Sequence, residues 1–176
     1  MVSVISQKCD AATSLDSTCE SDIPFPECVL LSEIAKDGFY RVVIGSAGGV
    51  ATLVKVMKKF PDHASLQEVC CTALGYLCQR NGSNQLAVRK ENAISQICAA
   101  MRRHPSSIAL QSAACDALRN MSVVILEPST QPTEKVKEEM IELLTKASGM
   151  YITHISKENA EQLLEALKTT NAPMAA

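Results

Sequence analysis

The chain reads as an all-α solenoid, and three observations predict it. Apolar residues recur at steps of three and four, the chain repeats itself at an offset of 44 residues, and Gly or Pro stands at the breaks between periodic stretches. Its 176 residues, 47% of them hydrophobic, are enough for one domain with a substantial core and too few for two comfortable ones.

Taken in order, the first 27 residues are rich in Ser, Thr, Asp and Cys, and Pro24 and Pro26 bracket Phe25. With neither periodicity nor a helix start, residues 1–27 are expected to form a disordered leader. A helical unit is expected over 28–170, with its best repeats at 38–81 and 82–127, and a frayed tail over 171–176.

The repeat fixes the architecture. Shifting the chain by 44 lays Val50–Cys78 on Ile94–Ser122 without a gap. Met57-Lys58-Lys59-Phe60-Pro61 falls on Met101-Arg102-Arg103-His104-Pro105, Leu66-Gln67 on Leu110-Gln111, and Cys71-Thr72-Ala73-Leu74 on Cys115-Asp116-Ala117-Leu118. Seven positions are identical, where chance gives roughly two. Within each copy Val50, Leu53, Val54 and Met57, and then Leu66, Val69, Cys70, Ala73, Leu74 and Leu77, follow helical spacing. Pro61 and Pro105 separate the two main helices, because a missing N–H and a fixed φ stop the first and let the second begin afresh. Gly82-Ser83 breaks the chain before a third, short helix at 84–89, which makes three helices in 44 residues. Upstream, Pro24 and Pro26 are expected to exclude most of the third helix of the preceding repeat. Downstream, 134–149 and 156–169 form two amphipathic helices that fit the second and third helices of a degenerate terminal repeat, whose outer face must be polar.

Composition excludes several functions. Net charge is −2 and aromatics are 3% with no Trp, which leaves neither the basic field nor the stacking surface of a nucleic-acid binder. No run of 18 apolar residues occurs and the N-terminus lacks a basic, then apolar, signal, so no membrane association and a cytoplasmic location are expected. Several of the eight cysteines, among them Cys70, Cys71, Cys78, Cys98 and Cys115, lie in apolar helical stripes and read as small buried hydrophobes. No Cys-x-x-Cys occurs and His63, His104 and His154 are scattered, so no metal, cofactor or cysteine nucleophile is expected. Gly45-Ser46-Ala47-Gly48-Gly49 lacks the Gly-Lys-Ser/Thr ending of a phosphate loop, and its Gly48-Gly49 reads as the sharp turn between the first two helices.

The repeat resembles the armadillo repeat. Gly48-Gly49-Val50 matches that family's turn into an apolar second helix. Ala73-Leu74-Gly75-Tyr76-Leu77 and Ala117-Leu118-Arg119-Asn120-Met121 match the Ala-Leu-x-Asn-Leu ending of its third helix. The resemblance covers about residues 28–127 and implies a right-handed superhelix of about three repeats whose third helices line a concave groove. It also implies a non-catalytic protein-binding or scaffold role. In members that bind extended peptides a Trp and an Asn one turn later grip the ligand. The Asn place holds Tyr76 and Asn120 here, and the Trp place holds Thr72 and Asp116, so pockets for basic peptides of the nuclear-import type are not expected. Arg80 and Arg119 follow along the groove, and Tyr and Arg are residue types that anchor interfaces. The expected binding residues are therefore Thr72, Tyr76, Arg80, Asp116, Arg119 and Asn120, and the expected partner is a protein or peptide. Each of these positions also has a plain structural reading as a solvated or helix-bracing residue. Lys58-Lys59 and Arg102-Arg103 suit the negative ends of the second helices. The alternative function is a structural or regulatory subunit that docks through exposed repeat ends, with a larger assembly, a longer armadillo protein or its own copies.

Overall fold

The computed structural model describes residues 1–11, 23–126, 134–150 and 154–169. Helices α1 (Val2–Ala11) and α2 (Phe25–Ile34) precede α3 (Gly38–Ser46), α4 (Gly49–Lys59) and α5 (Ala64–Cys78). The triplet recurs as α6 (Gly82–Lys90), α7 (Ala93–Arg103) and α8 (Ile108–Asn120). It recurs again as α9 (Ser122–Leu126), α10 (Glu134–Ser148) and α11 (His154–Thr169). No strand occurs among the described residues, and no single helix there is long and apolar enough to cross a membrane.

Each kind of helix stacks on its own kind. The second helices form one layer, α1 on α4, α4 on α7 and α7 on α10, and the third helices another, α2 on α5, α5 on α8 and α8 on α11. The short first helices α3, α6 and α9 follow one another along the side. One aliphatic and cysteine-rich core runs between the layers, from Ile5 and Cys9 through Leu53, Leu74, Ile97 and Leu118 to Leu144 and Leu163. A solenoid buries its apolar faces in this way, each repeat covering the next.

Local sequence sets the breaks. Asp37 caps α3 by accepting from Phe39 N–H at 2.8 Å, and Asn81 caps α6 by accepting from Asn84 N–H at 3.0 Å. Gly48 turns the chain between α3 and α4 in the left-handed region at φ 81°, and Asn92, 44 residues on, makes the same turn at φ 56°.

Pro61 and Pro105 do more than stop a helix. Each stands four residues after Met57 or Met101 and has no N–H for that residue's carbonyl, which is left without its helical donor. Gln67 Nε2 donates to Met57 O at 3.0 Å and Phe60 O at 2.8 Å. Gln111 Nε2 does the same for Met101 O at 2.9 Å and His104 O at 3.1 Å. The repeated Met, Pro and Gln are thus one device that ties the end of a second helix to the third.

Two expectations are corrected at the N-terminal end. The leader expected to be disordered over 1–27 begins as helix α1, because Ile5 and Cys9 stand four apart on one face and are fully buried. Its stretch 12–22 lies outside the described residues, as does the tail at 171–176. Pro24 and Pro26 do not exclude the third helix of that repeat. Pro24 caps α2 and Pro26 falls in its first turn, where the missing N–H leaves no bond unmade. The final two helices stack on the solenoid, α10 against α7 and α11 against α8.

Candidate protein-binding face

The third-helix layer carries the residues expected to bind. On α5 the partly exposed stripe is Glu68, Val69, Thr72 and Tyr76, at helical spacing, while Leu66, Cys70, Ala73 and Leu77 face the core. On α8 the corresponding stripe is Ser112, Ala113, Asp116, Arg119 and Asn120. The two helices approach closely because Gly75 has no side chain: a Cβ there would lie 3.1 Å from Ala117 Cα. Tyr76, which follows Gly75, and Asn120, 44 positions further on, are thereby brought onto neighbouring rungs.

The six residues differ in how much of their polarity is already used. Thr72 donates to Glu68 O of its own helix at 3.0 Å, so its hydroxyl is spent locally. Tyr76 is half-buried against the core, and Lys36 Nζ stands 5.9 Å from its ring centroid while also donating to Glu33 at 2.6 Å. Arg80 is exposed at φ 54°, a left-handed conformation unusual for a residue other than Gly, Asn or Asp, in the turn from α5 to α6.

Asp116 and Arg119 are engaged by α11. Asp116 accepts from Ser156 Oγ at 3.0 Å and from Asn159 Nδ2 at 2.9 Å, and Ser112 Oγ donates to Ser156 Oγ at 2.6 Å. Arg119 donates to Gln162 Oε1 and to Ser122 Oγ, both at 3.2 Å. These bonds cross between repeats at separations of 40 to 44 residues, apart from the Arg119–Ser122 bond, so the pair braces the α8–α11 junction. Asn120 is half-buried. Its backbone carbonyl accepts from Gln85 Nε2 at 3.4 Å, and its side-chain amide has no hydrogen-bond partner among the described residues.

Sequence reasoning placed the basic pairs correctly in the last turns of α4 and α7 but missed what they touch. Arg103 pairs with Asp62 at 2.5 Å, Arg102 pairs with Glu139 of α10, Lys55 pairs with Asp10 of α1, and Lys59 donates to Cys9 O. Cations thus link successive second helices. The Arg103 guanidinium, hydrogen-bonded to Asp62, holds that carboxyl below its ordinary value.

Two of the histidines, His63 and His104, are structural as well. His63 Nδ1 accepts from Leu66 N–H at 3.1 Å and so caps α5, and His104 Nε2 lies 2.8 Å from Pro61 O. Seven cysteines, Cys9, Cys28, Cys70, Cys71, Cys78, Cys98 and Cys115, are unpaired and buried. Burial pushes the Cys78, Cys98 and Cys115 thiols up to about 12 and raises Cys9 and Cys71 as well. Cys70 is raised first by its hydrogen bond with Cys28 and then by burial. Thiols of this kind are packing groups.

The stacked triplets and the layered third helices define an α-solenoid repeat protein. Residues 40–79, which run from α3 through α5, match the family described as Armadillo/beta-catenin-like repeat, and this match supports an armadillo-repeat assignment. No curated protein and no solved structure matches it.

Proposed function

We propose that the third-helix layer binds an extended segment or a domain of a partner protein, with Tyr76 and Asn120 as its principal anchors and no catalytic step. The observation that carries this reading is the unspent amide of Asn120 on the rung beside Tyr76. An amide offers one donor group and one acceptor to the backbone of an extended chain, and a half-buried Tyr ring offers apolar area with a polar tip. Thr72 lies on the same stripe, one turn before Tyr76, and Arg80 follows it at the strained turn. Strain held at an exposed position is the kind of feature that clusters at binding sites. Asp116 and Arg119, tied to α11, shape the floor and set the register of the rungs.

Armadillo repeats generally mediate protein interactions, which supports the class of partner. The rise of the thiols through burial supports a non-catalytic scaffold, since a cysteine nucleophile requires a reachable thiolate. Seven unpaired core thiols also suit a reducing compartment, which supports a cytoplasmic location.

The test is capture of partners from the protein's own cell extract by the purified chain, wild type against Tyr76→Ala/Asn120→Ala. Both side chains are half-exposed, so helicity by circular dichroism should be unchanged. Loss of both anchors is expected to weaken capture by about tenfold or more, the effect of removing interface anchors worth over 1 kcal/mol each. Undiminished capture by the folded double variant would remove the groove reading.

A further inference from the structure

The two ends of the solenoid are chemically unlike. Eight of the eleven exposed large hydrophobic residues among those described belong to Met1 and the first three helices, including Leu30 at 52%, Phe39 at 71% and Val42 at 57%. At the other end α10 and α11 expose charged residues such as Lys135, Glu138, Glu161 and Glu165, and Ile155 is the one large hydrophobic exposed on either helix.

The layering explains the difference. In the second triplet, α6 covers one side of α3, and α3 itself fills the corner between α4, α5 and α6. One repeat earlier the same corner, bounded by α1, α2, α3 and α4, is an open cleft of about 760 Å³. Val2, Leu31, Ile34, Tyr40 and Val43 line it. Phe39, packed edge-on against Tyr40 with centroids 5.5 Å apart, stands beside the cleft and projects into solvent.

We propose that this end is a self-association surface on which two copies of the chain meet head to head, Phe39 of each entering the cleft of the other. Three observations select a second copy as the occupant. First, the end carries both a knob and a hole, as an isologous two-fold contact requires, since each copy must supply both halves. Secondly, most of its charges are paired within the chain: Lys8 pairs with Glu27, Lys36 with Glu33 and Lys55 with Asp10, while Arg41 donates to Ala35 O at 2.8 Å and Gln79 O at 3.2 Å, and Asp37 caps α3. This pairing lowers the charge repulsion when two such ends meet. Thirdly, the eight large hydrophobic side chains left exposed at this end supply apolar area toward the about 800 Å² per partner of a standard stable interface. Head-to-tail stacking would set this apolar end on the charged face of α10 and α11, so the contact closes at two. The surface is separate from the third-helix stripe, and either reading can fail without the other.

Sedimentation equilibrium of the 176-residue chain tests it. At about 10 µM, a concentration that populates a micromolar dimer, the wild type is expected at twice its 18.9 kDa mass. Phe39→Asp and, independently, Leu30→Asp should return it to single-chain mass with an unchanged circular dichroism spectrum, whereas Ile155→Asp at the other end should leave the dimer intact. A wild type that stays at single-chain mass up to about 100 µM overturns the proposal, including one that instead binds neutral lipid vesicles or an added amphipathic helix. A dimer that survives either folded Asp variant at the N-terminal end overturns it equally.

Discussion

Gly75→Leu is expected to uncouple the two best repeats, lowering stability by about 3 kcal/mol and the melting midpoint by roughly 10 °C. Gly75 lies in the last turn of α5, where a glycine still costs up to about 1 kcal/mol of helix stability relative to Ala. Its compensation is the approach of α8: a Cβ would already stand 3.1 Å from Ala117 Cα and 3.4 Å from Ala117 Cβ. A leucine has three further heavy atoms beyond that Cβ, and the nearest obstacle is backbone, which cannot rotate aside. The third helices must separate, and the core between them opens. In a solenoid each repeat is stabilised chiefly by its neighbours, so a weakened junction should also broaden or split the unfolding transition. Gly82→Ala is the control, because a Cβ there meets nothing within 4 Å. A calorimetric scan of both variants checks the prediction, and an unshifted single transition for Gly75→Leu would mean that α5 and α8 do not meet in this way.

Gln111→Leu should cost about 2 kcal/mol, the penalty of leaving a buried carbonyl without a donor. Leucine keeps most of the volume, and Gln111 is only 3% exposed, so lost hydration of the side chain plays little part. What changes is Met101 O, whose helical donor is already missing because residue 105 is a proline. His104 O suffers less, since it also accepts from Ser107 N–H at 3.1 Å. Urea denaturation should show a lower midpoint with an unchanged slope, the signature of lost stability without a change in the unfolded chain's exposure. Gln67→Leu should behave alike, because Phe60 O likewise keeps His63 N–H as a second donor, at 3.3 Å.

The fold was legible where identity and period coincide. Met57, Pro61 and Gln67 recur 44 residues on because one hydrogen-bonding device recurs, and the repeat could be seen before its cause. Helix α1 was not legible. Val2-Ser3-Val4-Ile5-Ser6 is made of β-branched and hydroxyl residues of modest helix propensity, and tertiary contacts, chiefly the burial of Ile5 and Cys9 together with the Lys8–Glu27 and Lys55–Asp10 pairs, hold it helical. Prolines misled for a related reason: Pro26 stops a helix interior but suits a first turn, and the sequence does not say which turn it occupies. At the candidate site, the stripe through Tyr76 and Asn120 followed from helical spacing. The engagement of Asp116 and Arg119 did not, because their partners Ser156, Asn159 and Gln162 belong to a repeat whose identities have faded although its spacing persists.

Partners bound along the third helices should be caught there by site-specific photo-crosslinking. A photoreactive residue placed at Tyr76, at Asn120 or at Lys58, which is exposed in the last turn of α4 on the second-helix layer, reports which face a bound protein touches. Crosslinks to the same partner are expected from positions 76 and 120, and none from position 58. Crosslinks from position 58, with none from 76 or 120, would contradict binding along the third helices and place recognition on the second-helix layer.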